Sequence, residues 1–515
     1  MIKSILVVGG GTSGWMTAAY LNHVLGNAEG QAPVSITVVE SEDIGIIGVG
    51  EATVPTIKSI LQMLAIPEWQ FLMETDATLK HGIRFQDWLD VPGPDVKGNS
   101  FYHLFEQPPV MEGYSLATHW ASLTDRGVQP RAFDDSVSVQ GELCRHFKSP
   151  KMFVSNAYEA PVPYGYHLDA VKFGQFLRRI AVERGVRHVV DTITEVKRGP
   201  DGAIASLVTA SQATLEADFY IDCSGFRSLL LGGALEEPFC DWGDYLLCDR
   251  AVACQLPHAA PDTPLRPYTT STAKESGWIW EIDLFTRRGN GYVYSSNHST
   301  PERAEVLLRS HLGEAGEQTG ARHLSMQIGH RRNMWSKNCL AVGLSAGFLE
   351  PLESTGIYLV EVALSLFVDH ITDGPASPYL AHRFNTKMTA IYEELRDFIQ
   401  LHYITSRRDD SPFWRDYTNS VKVSDSLKYK LDLWTFKLPS VTDLDGKLTL
   451  FGPSSYTYIL AGMDRMPAAG NHLSPYVSPV ASAKALQAME TFQQRAIGSS
   501  PDHREYIQKQ RATAR

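Results

Sequence analysis

An α/β fold built on a Rossmann-type nucleotide-binding core is predicted by three features of the chain. A short apolar run, Ile5-Leu6-Val7-Val8, leads directly into Gly9-Gly10-Gly11-Thr12-Ser13-Gly14. A helical stretch from Trp15 to Leu25 follows, and a second apolar strand, Val34 to Val39, ends on Glu40. Further on, strand-like runs at 188–190, 193–196, 204–210 and 219–221 follow an amphipathic helix from Asp169 to Arg184.

Each element has a local reason. A β-branched and leucine run with no polar alternation suits a strand buried on both faces. Met16, Ala19, Tyr20 and Val24 lie near helical spacing, so the glycine turn joins a strand to a helix. Together with the strand that ends at Glu40 this is a βαβ unit. Residues 45–55 form a glycine-rich loop, and 56–65 read as a helix. Residues 90–166 carry little periodicity and read as long loops and short strands, an insertion suited to covering a substrate. Phe173, Phe176, Leu177 and Ile180 then mark one face of a helix. Gly199-Pro200-Asp201-Gly202 is a turn between strands. The region 245–300 is strand-rich, and Leu340 to Gly343 is another buried strand. From Ile357 to Tyr403 the chain is mainly helical, with a break near Pro375 and Pro378. The tail beyond Pro475 is polar and helix-prone, with no evident chemistry.

The chain has 515 residues, enough for a large core without disulfides or metals. Its hydrophobic share of 43% and charged share of 20% exclude a disordered or fibrous chain. Lys plus Arg number 47 and Asp plus Glu 58, a net charge of 47 − 58 = −11, which argues against nucleic acid or an anionic membrane as partner. Six scattered cysteines with no CxxC pair support neither a disulfide scaffold nor a zinc site, so no metal is expected. No signal peptide or membrane span is visible, and the cytoplasm is the simplest compartment.

The chemistry-bearing segments are four. In Gly9-x-Gly11-x-x-Gly14 the glycines permit a tight turn and close approach to a pyrophosphate, with Thr12 and Ser13 at the helix start. Glu40 can hold ribose hydroxyls, and its negative charge disfavours NADP. The early fingerprint and the distant Asp222-Cys223-Ser224-Gly225 suit an interrupted FAD domain better than an NAD domain; a plain turn is the alternative for the second segment. Gly277-Trp278-Ile279-Trp280-Glu281-Ile282-Asp283 puts two indoles on one strand face, either as core or as a pocket wall. In Glu350-Pro351-Leu352-Glu353-Ser354-Thr355-Gly356-Ile357 the helix start can hold an anion near Thr355 and Gly356, with Glu353 beside it, or the segment is simply an N-cap. Lys80 is a surface charge unless it sits in an apolar pocket, where it becomes a donor or nucleophile.

These segments together resemble the flavin-dependent tryptophan halogenases up to about residue 415. The matching stretches are GGGTSGW at 9–15, GVGEATVP at 48–55, the Lys80 segment, YHLDAVKF at 166–173, DCSGFRS at 222–228, GWIWEI at 277–282, GNGYVYSS at 289–296 and GFLEPLESTGIYLV at 347–360. YEELRDFIQLHY at 392–403 and Phe413-Trp414 also match. The resemblance implies a two-component enzyme: a separate flavin reductase supplies FADH2, and O2 with chloride or bromide yields hypohalous acid. Lys80 would aim the halogen at an electron-rich aromatic, and Glu353 would assist the lysine or take up a proton. Thr355 and Gly356 would bind the halide. Gly9, Gly11, Thr12, Ser13, Gly14, Glu40, Ala52, Val196, Leu344 and Ile357 would contact FAD. His103 and Phe105 would sandwich the substrate ring, with Trp278 and Trp280 nearby. Selectivity would come from a positioned donor in a closed pocket, because free hypohalous acid is unselective.

On this reading residues 1–375 form the FAD-binding halogenase core, with a covering insertion at about 90–166 and a sheet region at about 230–335. Residues 376–515 form a mainly helical C-terminal pocket region, and a homodimer is compatible with the resemblance. Two departures from the family stand out. Its tryptophan pair is normally followed by Ile-Pro, where this chain has Ile282-Asp283. The C-terminal cluster that grips the charged ends of free tryptophan has no match over 431–463; Tyr456 and Tyr458 are not adjacent. Without such partners a buried ammonium and carboxylate are costly to bind, so an indole, a phenol or a larger aromatic is expected instead. The rival readings are a flavin-dependent aromatic hydroxylase and a non-catalytic FAD-binding protein.

Overall fold

The structure, a computed structural model, describes residues 2–26, 33–42, 50–93, 99–372, 377–444, 449–467 and 470–513. The chain gathers into two compact units, each drawn from three separate stretches. One comprises Met1–Asp76, Leu168–Gly243 and Ser325–Glu393; the other comprises Ala77–His167, Asp244–Leu324 and Glu394–Arg515.

The first unit is the nucleotide-binding half. Its main sheet runs Arg187–Val190, Ser35–Glu40, Ser4–Val8, Phe219–Asp222, Cys339–Ala341, Trp335–Ser336, parallel except at the last pair. Ile5 to Val8 are all buried, as a strand covered on both faces requires. The helix Thr12–Leu25 connects the two strands of the βαβ unit. The helix Ala170–Glu183 buries Phe173, Phe176, Leu177 and Ile180, and the Asp169 side chain accepts from the Lys172 amide to cap it. A small antiparallel sheet of Ile193–Arg198, Ile204–Thr209 and Thr214–Leu215 follows. Beyond Cys339–Ala341 the chain makes two short 3-10 turns, Gly343–Ser345 and Pro351–Glu353, before the helix Gly356–His370.

The second unit centres on a seven-stranded sheet ordered Ala321–Ser325, Arg250–Pro257, Arg287–Tyr294, Gly277–Asp283, Thr269–Lys274, Gly82–Gln86, Ser100–Leu104. Ile279, Val252, Cys254, Tyr292 and Tyr294 pack with Ala304 and Leu308 of the helix Pro301–Leu312. The C-terminal helices Pro412–Asn419, Asp425–Leu433, Pro453–Gly462, Pro479–Ser499 and His503–Thr513 complete this unit.

The expected fold class is borne out, with one local correction. Besides the expected loops and short strands, the stretch 90–166 holds three helices, Leu116–Thr124, Phe133–Val137 and Val139–Arg145. They are too short for a periodicity to declare itself. They are held instead by long-range packing, Leu116, Phe133, Val137 and Cys144 sharing a core with Tyr458, Ala485 and Met489. The N-capping serines Ser115 and Ser138 were the available signal. The strand carrying the tryptophan pair is regular through Asp283, so the missing proline leaves no break. Of the glycine-rich loop, residues 45–49 lie outside the described residues, as does Pro375.

Candidate active site

In the first unit the glycine loop has the shape a dinucleotide needs. Gly9 has φ +117, and a Cβ there would meet the Cys223 carbonyl oxygen at 2.2 Å. At Gly14 a Cβ would meet the Gly9 carbonyl oxygen at 1.8 Å, so only glycine lets the helix start this close to the strand. At Gly11 a Cβ would meet nothing within 4 Å: the loop is open on the side a pyrophosphate approaches. No acidic residue stands in the first turn of Thr12–Leu25 to oppose an anion. The Thr12 hydroxyl donates to the Ala170 carbonyl at 3.0 Å, which ties the loop to the capped helix behind it.

Glu40 ends its strand and folds back over the loop, its Oε2 lying 1.5 Å from where a Gly10 Cβ would stand. His188 Nε2 lies 2.7 Å from Glu40 Oε1 and Arg178 3.6 Å from it. The carboxylate is thus oriented beside the fingerprint, where a ribose would lie. Asp222 is used differently from a ligand contact. Its two oxygens accept from the amides of Ser224 at 3.0 Å, Leu230 at 2.8 Å and Leu231 at 2.9 Å. It organises the turn after its strand, so the plain-turn alternative describes its own bonds.

Ala52, Val196 and Leu344 are partly buried and Ile357 is buried. Glu353 is 2% exposed and precedes Ser354, whose φ of +62 is left-handed. Thr355 occupies the N-cap position of Gly356–His370, yet its side chain makes no capping hydrogen bond. The capping alternative therefore fails at Thr355, and its hydroxyl is not spent on the helix. Glu51, beside Asp169, is pushed up to about 7 by burial and by that carboxylate. On helix Gly356–His370, burial pushes the Glu361 carboxyl up to about 8, against a hydrogen bond with Thr56.

The second unit holds the other set. Lys80 ends the strand Thr78–Lys80 and is fully buried, not a surface charge. Its Nζ lies 5.2 Å from the centroid of the Phe105 ring, a cation–π distance. The strand pairs with Gly165–Asp169, Lys80 opposite Gly165 and Thr78 opposite His167. Three histidines frame it. The Leu79 amide donates to His503 Nε2 at 3.0 Å. His81 bonds Gln140 through Nδ1 at 2.9 Å and the Lys148 carbonyl through Nε2 at 3.1 Å. His167 Nε2 lies 2.9 Å from Thr269 Oγ1. Burial depresses His81 to about 3 and His503 to about 4. His167 is driven well below its ordinary range by burial and by the charge of Lys80. The three histidines of the frame are therefore neutral at physiological pH.

His103 is 3% exposed and packs near Phe398 at 5.6 Å and Phe451 at 5.8 Å between ring centroids. Phe398 and Phe451 stack at 4.0 Å. Trp278 and Trp280 share one strand face with rings 6.3 Å apart, and Trp280 Nε1 is buried with no hydrogen-bond partner. On the opposite face, Asp283 accepts from Arg266 Nε at 3.1 Å, Arg266 Nη2 at 3.0 Å and Arg288 Nε at 2.8 Å. Thr78 Oγ1 donates to the Asp283 carbonyl at 2.6 Å, joining that network to the Lys80 strand.

The sequence-predicted residues thus sort cleanly. Every cofactor and halide candidate, with Glu353, lies in the first unit; Lys80, His103, Phe105, Trp278 and Trp280 lie in the second. His503, His81, His167 and Asp283 were missed as parts of the lysine's frame. Only a tail histidine and the His-rich flanks of the Lys80 and YHLDAVKF segments could have signalled them.

Fold and site define an α/β nucleotide-binding protein whose second, aromatic-rich unit buries a lysine. The tryptophan halogenase family model matches residues 4–479, and the chain belongs to that family. It is 35% identical to the tryptophan 6-halogenase SttH of Streptomyces toxytricini over 98% of this chain and 97% of that one. It is 39% identical to the tryptophan 7-halogenase KtzQ of Kutzneria sp. (strain 744) over 90% of each. The crystal structure of SttH superposes with a TM-score of 0.91 at 36% identity, covering 98% of this chain and 99% of that one. The flavin-dependent halogenase BrvH of Brevundimonas sp. BAL3 gives 0.88 at 34% identity, covering 99% of each. The chain is accordingly a flavin-dependent halogenase, an oxidoreductase using FADH2 from a separate reductase with chloride or bromide; the hydroxylase and non-catalytic readings are not favoured. No described helix is long and apolar enough to cross a membrane.

Proposed function

We propose that this halogenase acts on an electron-rich indole- or phenol-type aromatic other than free tryptophan, with Lys80 directing the halogen. The observation that carries the lysine's role is its full burial beside the Phe105 ring within a frame of neutral histidines. A buried amine with one orientation can hold and aim an electrophilic halogen that would react indiscriminately in water. Bound FADH2 supplies the reducing equivalents that turn O2 and halide into hypohalous acid. Gly9, Gly11, Thr12, Ser13, Gly14 and Glu40 would hold its pyrophosphate and ribose, and Ala52, Val196, Leu344 and Ile357 its flanks. Thr355 and Gly356 would seat the halide, and Glu353 would take up the proton released from the ring. His103 and Phe105 would clasp the substrate, with Trp278 and Trp280 as the wall of their strand.

The substrate proposal rests on the C-terminal helix Pro453–Gly462. The Tyr458 hydroxyl is spent on the Glu106 carbonyl at 3.1 Å, and the Tyr456 ring packs 4.9 Å from both Trp434 and Phe398. The helix offers rings where free-tryptophan enzymes offer a polar grip. A cytoplasmic, homodimeric enzyme accords with this reading.

The test is product analysis by mass spectrometry, with FAD, NADH, a generic flavin reductase, air and a panel of indoles, phenols and tryptophan. A halogen isotope pattern that requires halide and is lost in Lys80→Ala supports the reading. A hydroxylated product formed without halide overturns it, and tryptophan as the best substrate overturns the substrate class.

A further inference from the structure

We propose that Glu361 governs halide affinity in this enzyme, its neutral carboxyl permitting an anion at the start of Gly356–His370 and its ionised form expelling it. The inference rests on Thr355 and Gly356 being the halide seat. Glu361 lies on the same helix, five residues past Gly356, about 7 Å along the axis at ordinary helical rise. Residues four apart share a helix face, so Glu361 lies under Ile357, the residue proposed beside the flavin. It is 7% exposed, and its Oε1 is buried without a hydrogen-bond partner.

A carboxylate left half-bonded in a dry interior is costly, whereas the neutral acid is tolerated there. The groups around it do not offset that cost. The helix packs on Thr12–Leu25, on Ile57–Met63 and on the turn Gly343–Ser345. Their titratable residues are Tyr20 and His23 on the first and Lys58 on the second; the turn has none. Tyr20 is itself raised by burial and bonded to Ser365, and no charged group contributes to the shift of Glu361, which comes from burial against the Thr56 bond. Glu353 precedes the helix, and Tyr358, Asp369 and His370 share it with Glu361. The helix N-terminus attracts an anion through its amides and dipole. A negative charge buried one and a half turns behind them opposes that attraction, with only partial screening by solvent.

The sign follows. Neutral Glu361 dominates below its folded pKa of about 8, so halide binds well there and affinity falls as pH rises through that value. We expect about a tenfold loss of halide affinity between about pH 7 and about pH 9, the order given by two like charges some 7–8 Å apart in a partly screened interior.

The test is chlorine-35 line broadening on the FAD-loaded enzyme, titrated with chloride across that pH range. Wild type, Glu361→Gln and Thr355→Val are compared, with circular dichroism as a check on folding. The expected result is a steep loss above about pH 8 in wild type and a flat profile in Glu361→Gln. Equal pH profiles for wild type and Glu361→Gln overturn the role of Glu361 while leaving the seat intact. Unchanged broadening in Thr355→Val shows instead that the seat is misplaced, and overturns the proposal from that side. Should Glu361→Gln not fold, wild type alone decides: constant affinity across the range refutes the proposal.

Discussion

Replacing Asp283 with asparagine removes one charge from the middle of a buried ion network while keeping its shape. Asp283 is 0% exposed and Arg266 and Arg288 are 15% and 30% exposed in their side chains, so solvent cannot take over the lost interaction fully. Burial works to raise the Asp283 carboxyl, but the two guanidinium groups outweigh it and hold it well below the usual carboxylate range. Glu281 is held down to about 2 against burial, first by its hydrogen bond with His311 and then by the charges of both arginines. Removing one member of a buried pair costs about 3–5 kcal/mol, because the partner is left charged and uncompensated. Glu281 remains to share the arginines, so the lower figure is expected. At about 2–4 °C per kcal/mol for a large unit, the melting temperature should fall by about 6–12 °C near neutral pH. The pH dependence has a definite direction. A carboxyl with a depressed folded pKa contributes its full stability above its unfolded value of about 3.9 and loses it as pH falls through the folded value. The wild type and Asp283→Asn should therefore differ most near neutrality and converge in acid below about pH 4. Calorimetric scans across that range provide the assay. Equal melting temperatures at neutral pH, or a gap that persists undiminished in acid, would refute the reasoning.

Other consequences are as direct. Gly14→Ala places a methyl 1.8 Å from the Gly9 carbonyl, so FAD affinity measured by flavin fluorescence should fall at least tenfold, about 1.4 kcal/mol, while the second unit is untouched. Gly291→Ala drives a methyl to within 1.9 Å of the Trp280 ring. It should shift tryptophan fluorescence and cost about 1–3 kcal/mol in denaturant unfolding, as overpacking of a sheet face does.

The nucleotide half was legible in the sequence because its signals are local. Strand, glycine turn, helix and terminal carboxylate lie within 40 residues, and Gly9 and Gly14 each answer to a backbone carbonyl that leaves no room for a Cβ. The Lys80 segment was legible only through resemblance, since nothing local distinguishes a buried lysine from a surface one. What buries it comes from elsewhere: His503 is 424 positions from Leu79, and Asp283 is 205 from Thr78. Sequence patterns register periods of two or four residues, and no period reaches that far. Asp283 shows the same limit from another side. It stood out as a departure from a proline, yet its purpose depends on Arg288 from the neighbouring strand and Arg266 from the segment before Thr269–Lys274. The helices at 116–145 escaped because each is too short for a helical period to show, and distant helices supply the rest of their core.

The interleaving of the two units also constrains how such an enzyme can be divided. The unit with the glycine fingerprint needs the chain out to position 393, whereas the unit that holds Lys80 is complete only at the C-terminus. Any contiguous fragment able to build the first therefore carries two of the three pieces of the second, stranded without the third. A single proteolytic nick or a single recombination crossover cannot yield the nucleotide-binding unit detached from the unit that holds Lys80. A ribosome, likewise, completes the flavin half before the lysine's frame can close around His503. The two units are thereby inherited and lost as one.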